Sequence, residues 1–307
     1  QRLVPGAFWV LWKMHWSRQR RCSMNKKFFT PKKVHAYVRA AIQLLFFLFL
    51  PSAFTTAFSG IKSVLTQIGT GSPVVMSSFL TVLLALCAYT VVFGRFFCGY
   101  ACAFGTLGDA VHALYLFLCK KCKKKPVLLK KSWKKPLSFL KYAVLLAIVL
   151  LCFTGVYGEI TGWSPWDVFS MLRSGNFKVG AYWLGCVLLV LILAGMVFCE
   201  RFFCRFLCPM GAVFTMLPVL SFFSVRRQKA NCAKGCTACQ KICPSDLELP
   251  EKGSWNGNGD CFQCQKCLEI CPKKNAESGF RFFRGNEIWF AVLRAVILAA
   301  VLILAGI

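Results

Sequence analysis

The sequence predicts a predominantly helical chain that crosses a membrane several times and carries a small cysteine-rich segment near its C-terminal end. Three observations lead there. Of 307 residues, 57% are hydrophobic and only 16% are charged, against roughly 25% charged in soluble domains. The apolar residues gather into long runs. Eight cysteines fall in two tight clusters between residues 232 and 271.

A helix needs about 20 apolar residues to cross the hydrocarbon core. The stretches 36–58, 76–97, 137–157, 180–200 and 286–307 meet that need. They give an all-α polytopic membrane protein with about five transmembrane helices. Pro51 removes a backbone donor and is expected to kink the first. Trp163 and Trp166 fall where an outer aromatic belt is expected.

Charge sets the orientation. There are 38 Lys and Arg against 11 Asp and Glu, a net charge of +27. The basic residues crowd beside the apolar runs and no nucleic-acid recognition motif is visible, so their partner is the lipid bilayer rather than nucleic acid. Lys26, Lys27, Lys32 and Lys33 precede the first run, and nine lysines lie between Lys120 and Lys135. Arg226, Arg227 and Lys229 follow the fourth. The loop 59–75 carries only Lys62, and in the loop 158–179 Arg173 and Lys178 are offset by Glu159 and Asp167. These two quiet loops belong outside. The N-terminus, the lysine-rich loop and the cysteine-rich segment belong on the cytoplasmic side of the cytoplasmic (inner) membrane. Assembly of thiolate ligands in a reducing compartment requires the same side.

The membrane part repeats. Arg95-Phe96-Phe97-Cys98-x3-Cys102-x2-Gly105 matches Arg201-Phe202-Phe203-Cys204-x3-Cys208-x2-Gly211 at a constant offset of 106 residues. Two parallel repeats of this kind imply a pseudo-two-fold axis along the membrane normal. The apolar stretches 106–118 and 212–223 that follow are too short to span and are read as interfacial or re-entrant. The turn-rich stretch 251–260 is read as a surface loop.

The cysteine clusters read Cys232-x3-Cys236-x2-Cys239-x3-Cys243-Pro244 and Cys261-x2-Cys264-x2-Cys267-x3-Cys271-Pro272. Such paired runs are the ligand pattern of a two-cluster ferredoxin, in which the fourth cysteine of each run holds the other run's cube. Cys232, Cys236, Cys239 and Cys271 are thus assigned to one [4Fe–4S] cube, and Cys261, Cys264, Cys267 and Cys243 to the other. The first run has x3 where the pattern has x2. Zinc is the alternative for such thiolates. The chain then divides into an N-terminal extension 1–23 with no assigned role, a first repeat 24–118, a lysine-rich cytoplasmic loop 119–136, a second repeat 137–229, a ferredoxin-like segment 230–285 and a fifth transmembrane helix 286–307.

Cys98, Cys102, Cys204 and Cys208 are candidates for an additional iron–sulfur or metal centre near the cytoplasmic ends of the spans. A dithiol in each copy, or plain packing, are the other readings. If helical, the x3 spacing puts both cysteines of a pair on one face. Glu200, Asp109 and His112 are proton-transfer candidates, because acids at the membrane edge are functional candidates by default. The alternatives are a salt bridge from Glu200 to Arg201 or Arg205, and a hydrogen bond between Asp109 and His112.

In combination these motifs resemble the NapH/NosR/CcoG group of membrane iron–sulfur proteins over roughly residues 24–285. The second copy carries the group's Cys204-Arg205-Phe206-Leu207-Cys208-Pro209, whereas the first has Ala103 where the proline is usual. The resemblance implies electron transfer between a membrane redox partner or the quinone pool and a reductase or maturation system. Reduction of a metal such as copper, metal-centre maturation and redox sensing are the alternative roles.

Overall fold

The computed structural model describes residues 32–129, 131–155, 164–173, 175, 182–220, 222–233, 235–273, 275–281 and 286–307. Expectations for residues 1–23, Lys26, Lys27, Trp163 and half of the loop 158–179 fall outside these.

The chain is mostly helical with one small sheet. The expected first span is two helices, α1 (Lys32–Phe49) and α2 (Ala53–Gly69), bent by 62°. The break sits at Pro51, whose ring cannot continue the helical ladder. Helix α2 also takes up most of what reads in the sequence as the outer loop 59–75.

Helices α3 (Ser78–Phe93) and α9 (Trp183–Phe198) have 16 residues each. At 1.5 Å per residue each is about 24 Å long, less than the roughly 30 Å of a hydrocarbon core. Both stop just before the repeated Arg-Phe-Phe-Cys motif. Gly94 (φ 69°) ends the first and Arg201 (φ 56°) follows the second, and both lie in left-handed regions that a helix cannot use. A short helix then carries each motif: α4 (Phe96–Tyr100) and α10 (Phe202–Phe206). Helices α5 (Ala103–Lys121) and α11 (Pro209–Met216) follow them. Between the repeats lie the short helix α6 (Lys131–Leu137), α7 (Leu140–Phe153) and α8 (Pro165–Arg173). The last helix is α14 (Glu287–Leu304).

Among the described residues, two helices are long and apolar enough to cross a membrane: Ser132–Phe153, which joins α6 to α7, and Glu287–Leu304. The bent pair α1–α2 makes a third if it is one span. Their outward faces are apolar: Leu45, Leu150 and Val296 are all more than half exposed, as is Val190 on α9. Large exposed apolar surfaces of this kind mark contact with lipid or another apolar partner. The inner faces meet in an aromatic core in which Phe104 packs on Phe54 and Phe203, with centroids 5.4 and 4.9 Å apart. Trp166, expected in an outer belt, instead stacks on Phe58 at 5.0 Å inside this core.

The cysteine-rich segment is framed by an antiparallel sheet of order β2-β1-β3. Strand β1 (Phe223–Gln228) is central, β3 (Ala276–Phe280) pairs with it from Phe223↔Phe280 to Arg227↔Ala276, and β2 (Lys252–Trp255) flanks the other side. Part of the stretch read as a loop is therefore a strand, held by Arg226 stacking over the Trp255 ring at 5.1 Å. One cysteine run lies between β1 and β2 with α12 (Ala238–Ile242), the other between β2 and β3 with α13 (Lys266–Ile270). The sheet thus holds both runs back to back.

Candidate iron–sulfur sites and their seat on the repeats

Cys243, Cys261, Cys264 and Cys267 all line one internal cavity, together with Cys239, Pro244, Leu249 and Phe262. These four are the set assigned from spacing to a single cube, and one of them comes from the other run. The remaining set is drawn together less fully. Asn275 joins two of its members: its backbone N–H donates to Cys271 Sγ and its side-chain amide to Cys232 Sγ, both at 3.2 Å. Cys271 also packs, with Cys267, on the small core that contains Cys239. Cys236 is half-buried, with its backbone N–H bonded to Ala233 O at 3.0 Å.

Among the described residues, no three Cys, His, Asp or Glu side chains are gathered closely enough to hold a single metal ion. A cube spreads four thiolates over four irons and does not require convergence on one point, unlike a tetrahedral zinc site. The cavity fits such a group in its donor set and in its enclosure. Burial pushes the Cys261 thiol up to about 11 and the Cys264 thiol up to about 12, and raises Cys243 and Cys267 as well. Buried neutral thiols are poor nucleophiles near pH 7, whereas a bound cation deprotonates a ligating thiol outright.

The cavity set sits directly on the repeats. Arg95 and Arg201, equivalent residues of the two copies, both stack over the ring of Phe262, at 4.7 and 5.2 Å from its centroid. Phe262 therefore lies between the two halves. Each arginine also crosses to the other copy. Arg201 Nη1 donates to the Cys98 carbonyl, and Arg95 Nη2 to the equivalent Cys204 carbonyl at 3.4 Å. Arg201 pairs with Asp109 through two bonds of 3.0 and 2.6 Å, and Arg95 Nη1 reaches Thr215, the residue equivalent to Asp109, at 3.2 Å. Where the second half lacks the acid, Asp260 from the cysteine segment supplies one, 2.7 Å from Lys141 and 3.5 Å from Arg95. Burial pushes the Asp260 carboxyl up, but the Lys141 bond and the Lys141 and Arg95 charges outweigh it and hold it below the ordinary value.

Two positions explain the fit further. A Cβ on Gly99 would collide with the Phe262 carbonyl oxygen. Only glycine admits the Cys261–Cys264 loop there. Its counterpart in the other copy, Arg205, instead donates to the Pro244 carbonyl at 2.7 Å and to Asp246 at 2.8 Å. The glycine shared by both motifs has a related cause: a Cβ would lie 2.8 Å from Cys98 O at Gly105 and 2.9 Å from Cys204 O at Gly211.

Cys98, Cys102, Cys204 and Cys208 are all buried. Cys98 and Cys204 lie within the short helices, and Cys102 and Cys208 at the N-caps of the next. The pairs straddle corners rather than sharing one helical face. The corners bring the copies together: Cys204 lies beside Cys102, and Cys208 lies near Cys98 and Cys204.

The acids are engaged elsewhere. Asp109 takes Arg201 and Gln43 (2.8 Å), while His112 Nδ1–H donates to Val197 O at 3.0 Å. Glu200 forms an ion pair with Lys266, beside Cys267, rather than with Arg201 or Arg205. Arg39 from α1 donates to Cys264 O at 3.0 Å and pairs with Glu269 at 2.5 Å, and Lys134 pairs with Asp246 at 3.3 Å. The start of α1, the lysine-rich segment and the cysteine segment therefore meet at one end of the helical body. Sequence reasoning missed Phe262, Gly99 and Arg227, whose Nη1 donates to Cys239 Sγ at 3.1 Å. The constant repeat offset was a usable signal for the arginine contacts, since Asp109 and Thr215 lie equally far beyond their motif arginines.

A family model described as a 4Fe-4S binding domain matches residues 76–136 and 180–228. Each match takes in one copy of the repeat with its cysteine pair. The chain is 29% identical over 213 residues to an uncharacterized protein of Methanocaldococcus jannaschii, covering 69% of this chain and 75% of that one. It is 27% identical over 223 residues to the putative electron transport protein YccM of Escherichia coli, covering 70% and 59%. To the ferredoxin-type protein NapH of Haemophilus influenzae it is 25% identical over 211 residues, covering 65% and 67%. No solved structure matches. With its doubled 4Fe-4S binding match and these relatives, the chain is similar to ferredoxin-type proteins of the NapH/NosR kind.

Proposed function

We propose that this chain is a membrane-embedded electron carrier with five spans and two [4Fe–4S] cubes in residues 230–285 on the cytoplasmic side. It relays electrons between a membrane redox partner or the quinone pool and a reductase or maturation system. Cys261, Cys264, Cys267 and Cys243 hold the cube nearer the repeats. Cys232, Cys236, Cys239 and Cys271 hold the outer one. When bound, the cubes supply one-electron chemistry, and the protein supplies ligation, spacing and electrostatics.

The observation that carries this reading is the shared cavity: five thiols from the two separate runs line one space, and Cys243, Cys261, Cys264 and Cys267, the four that the ligand pattern puts on one cube, are among them. The other residues serve it. Phe262, clamped by Arg95 and Arg201, fixes the loop against both repeats. Arg227 donates to Cys239 Sγ, and hydrogen bonds to ligand sulfurs favour the reduced state. The apolar lining from Val225, Leu249 and Phe262 keeps water out.

EPR of the dithionite-reduced protein in membranes tests it. Two magnetically coupled [4Fe–4S] signals are expected. A silent spectrum from folded, anaerobically prepared protein overturns the proposal.

The buried quartet Cys98, Cys102, Cys204 and Cys208 supports a second reading. It makes these cysteines an additional iron–sulfur or metal centre, in a protein that reduces a metal such as cupric ion or serves metal-centre maturation. Replacing the four by serine separates the two. Loss of cupric reduction with quinol oxidation intact favours the metal route.

A further inference from the structure

Arg294 lies seven residues beyond the start of α14, about 10 Å along an otherwise apolar helix. It is 1% exposed. Its guanidinium is stacked over Phe223 at 3.6 Å and Phe96 at 4.4 Å, so its plane is fixed from the sheet and from the first repeat. Nε donates to the Phe290 carbonyl at 3.3 Å. Both Nη atoms are buried and have no hydrogen-bond partner among the described residues.

This arrangement differs from that of the other buried arginines. Arg201 is closed by Asp109, and Arg205 by Asp246. Around Arg294 the groups it feels electrostatically are Tyr89, Tyr100 and Cys261. The Tyr89 hydroxyl already donates to the Arg294 carbonyl, and Tyr100 to Gln265. Among the described residues no carboxylate takes part. A buried cation with unmet donors is costly, and a fork of N–H groups suits an anion. Cys261 belongs to the cavity set, and a thiolate-ligated cube is an anion whose charge grows on reduction.

We propose that Arg294 is a positioning residue for the inner cube: its fixed charge, seated between Phe96 and Phe223 on the strand whose Val225 lines that site, raises the inner cube's reduction potential. The inference rests on the two-cube reading. One electron is added on reduction, supplied in the test by dithionite, and no bond or proton moves. The device eases reduction of the inner cube by an electron arriving from the membrane side, as the Arg227 bond to Cys239 does for the outer one.

The test is a potentiometric EPR titration of wild type, R294M and R294K in membranes, with iron counted in each. In R294M the reduction equilibrium of the inner cube is expected to fall on the order of tenfold, about 59 mV for one electron. The outer cube should not move, and R294K should restore most of the shift. Loss of the inner cube alone in R294M, with retention in R294K, also supports the role of the charge. An unchanged inner potential in R294M overturns the proposal, as does an R294K that shifts as far as R294M. If R294M does not fold, R294Q carries the same comparison. Wild type without two cubes defeats the parent reading instead, and iron counting distinguishes that failure.

Discussion

Removing Arg201 should be far more damaging than removing its symmetry mate Arg95. The Arg201 side chain is fully buried and makes two bonds to Asp109, itself only 13% exposed. It also caps the Cys98 and Gly99 carbonyls and stacks on Phe262. R201M leaves a buried carboxylate without its counter-ion, and such losses run to about 3–5 kcal/mol. Arg95 presents a weaker case. Its acid, Asp260, is 41% exposed and keeps Lys141 at 2.7 Å after the arginine has gone. R95M should therefore cost about 1–2 kcal/mol, mainly from lost packing and the carbonyl bond. The double change R201M/D109L removes both charges. Apolar replacement of a buried pair is often neutral, so the double variant should recover most of the loss. Thermal unfolding in detergent, followed by loss of the iron–sulfur absorption, provides the ranking. Equal stabilities for R201M and R95M, or a double variant worse than R201M alone, would refute the reasoning.

Three further outcomes follow from the geometry. C243S should remove the inner cube and C271S the outer, so each variant retains about four of about eight irons, although each serine lies in the other cube's cysteine run. G99V should displace the Cys261–Cys264 loop, because its side chain meets the Phe262 carbonyl; iron content and protease resistance of residues 230–285 should both fall. Chelation of iron under denaturant should expose the segment between β1 and β3 to proteolysis before the aromatic core around Phe104 loosens, because that segment has only a small apolar core of its own.

The cysteine runs and the 106-residue repeat were legible in the sequence because ligand spacing and repetition are local patterns. The helical body was legible as apolar runs, but its breaks were only partly so. Pro51 announced a bend, whereas the halts at Gly94, in left-handed backbone, and at Cys199, in extended backbone, are not advertised by the Arg-Phe-Phe-Cys motif that follows. The strand Lys252–Trp255 was hidden by the turn formers around it, and its pairing with β1 depends on residues about 25 positions earlier. Trp166 reads as a belt residue from position alone, since nothing local reveals that Phe58 covers it. Arg294 was the least visible. A single arginine in an apolar run reads as a blemish on a span, and its neighbours Phe96, Phe223 and Cys261 come from three distant parts of the chain.

The central claim is that thiols drawn from both cysteine runs ligate two cubes. Chemical analysis of iron and acid-labile sulfide per chain, on protein purified anaerobically from membranes, tests it most directly. The account predicts about eight of each, falling by half in C243S. Zinc in their place, or a folded chain with neither element, would contradict it.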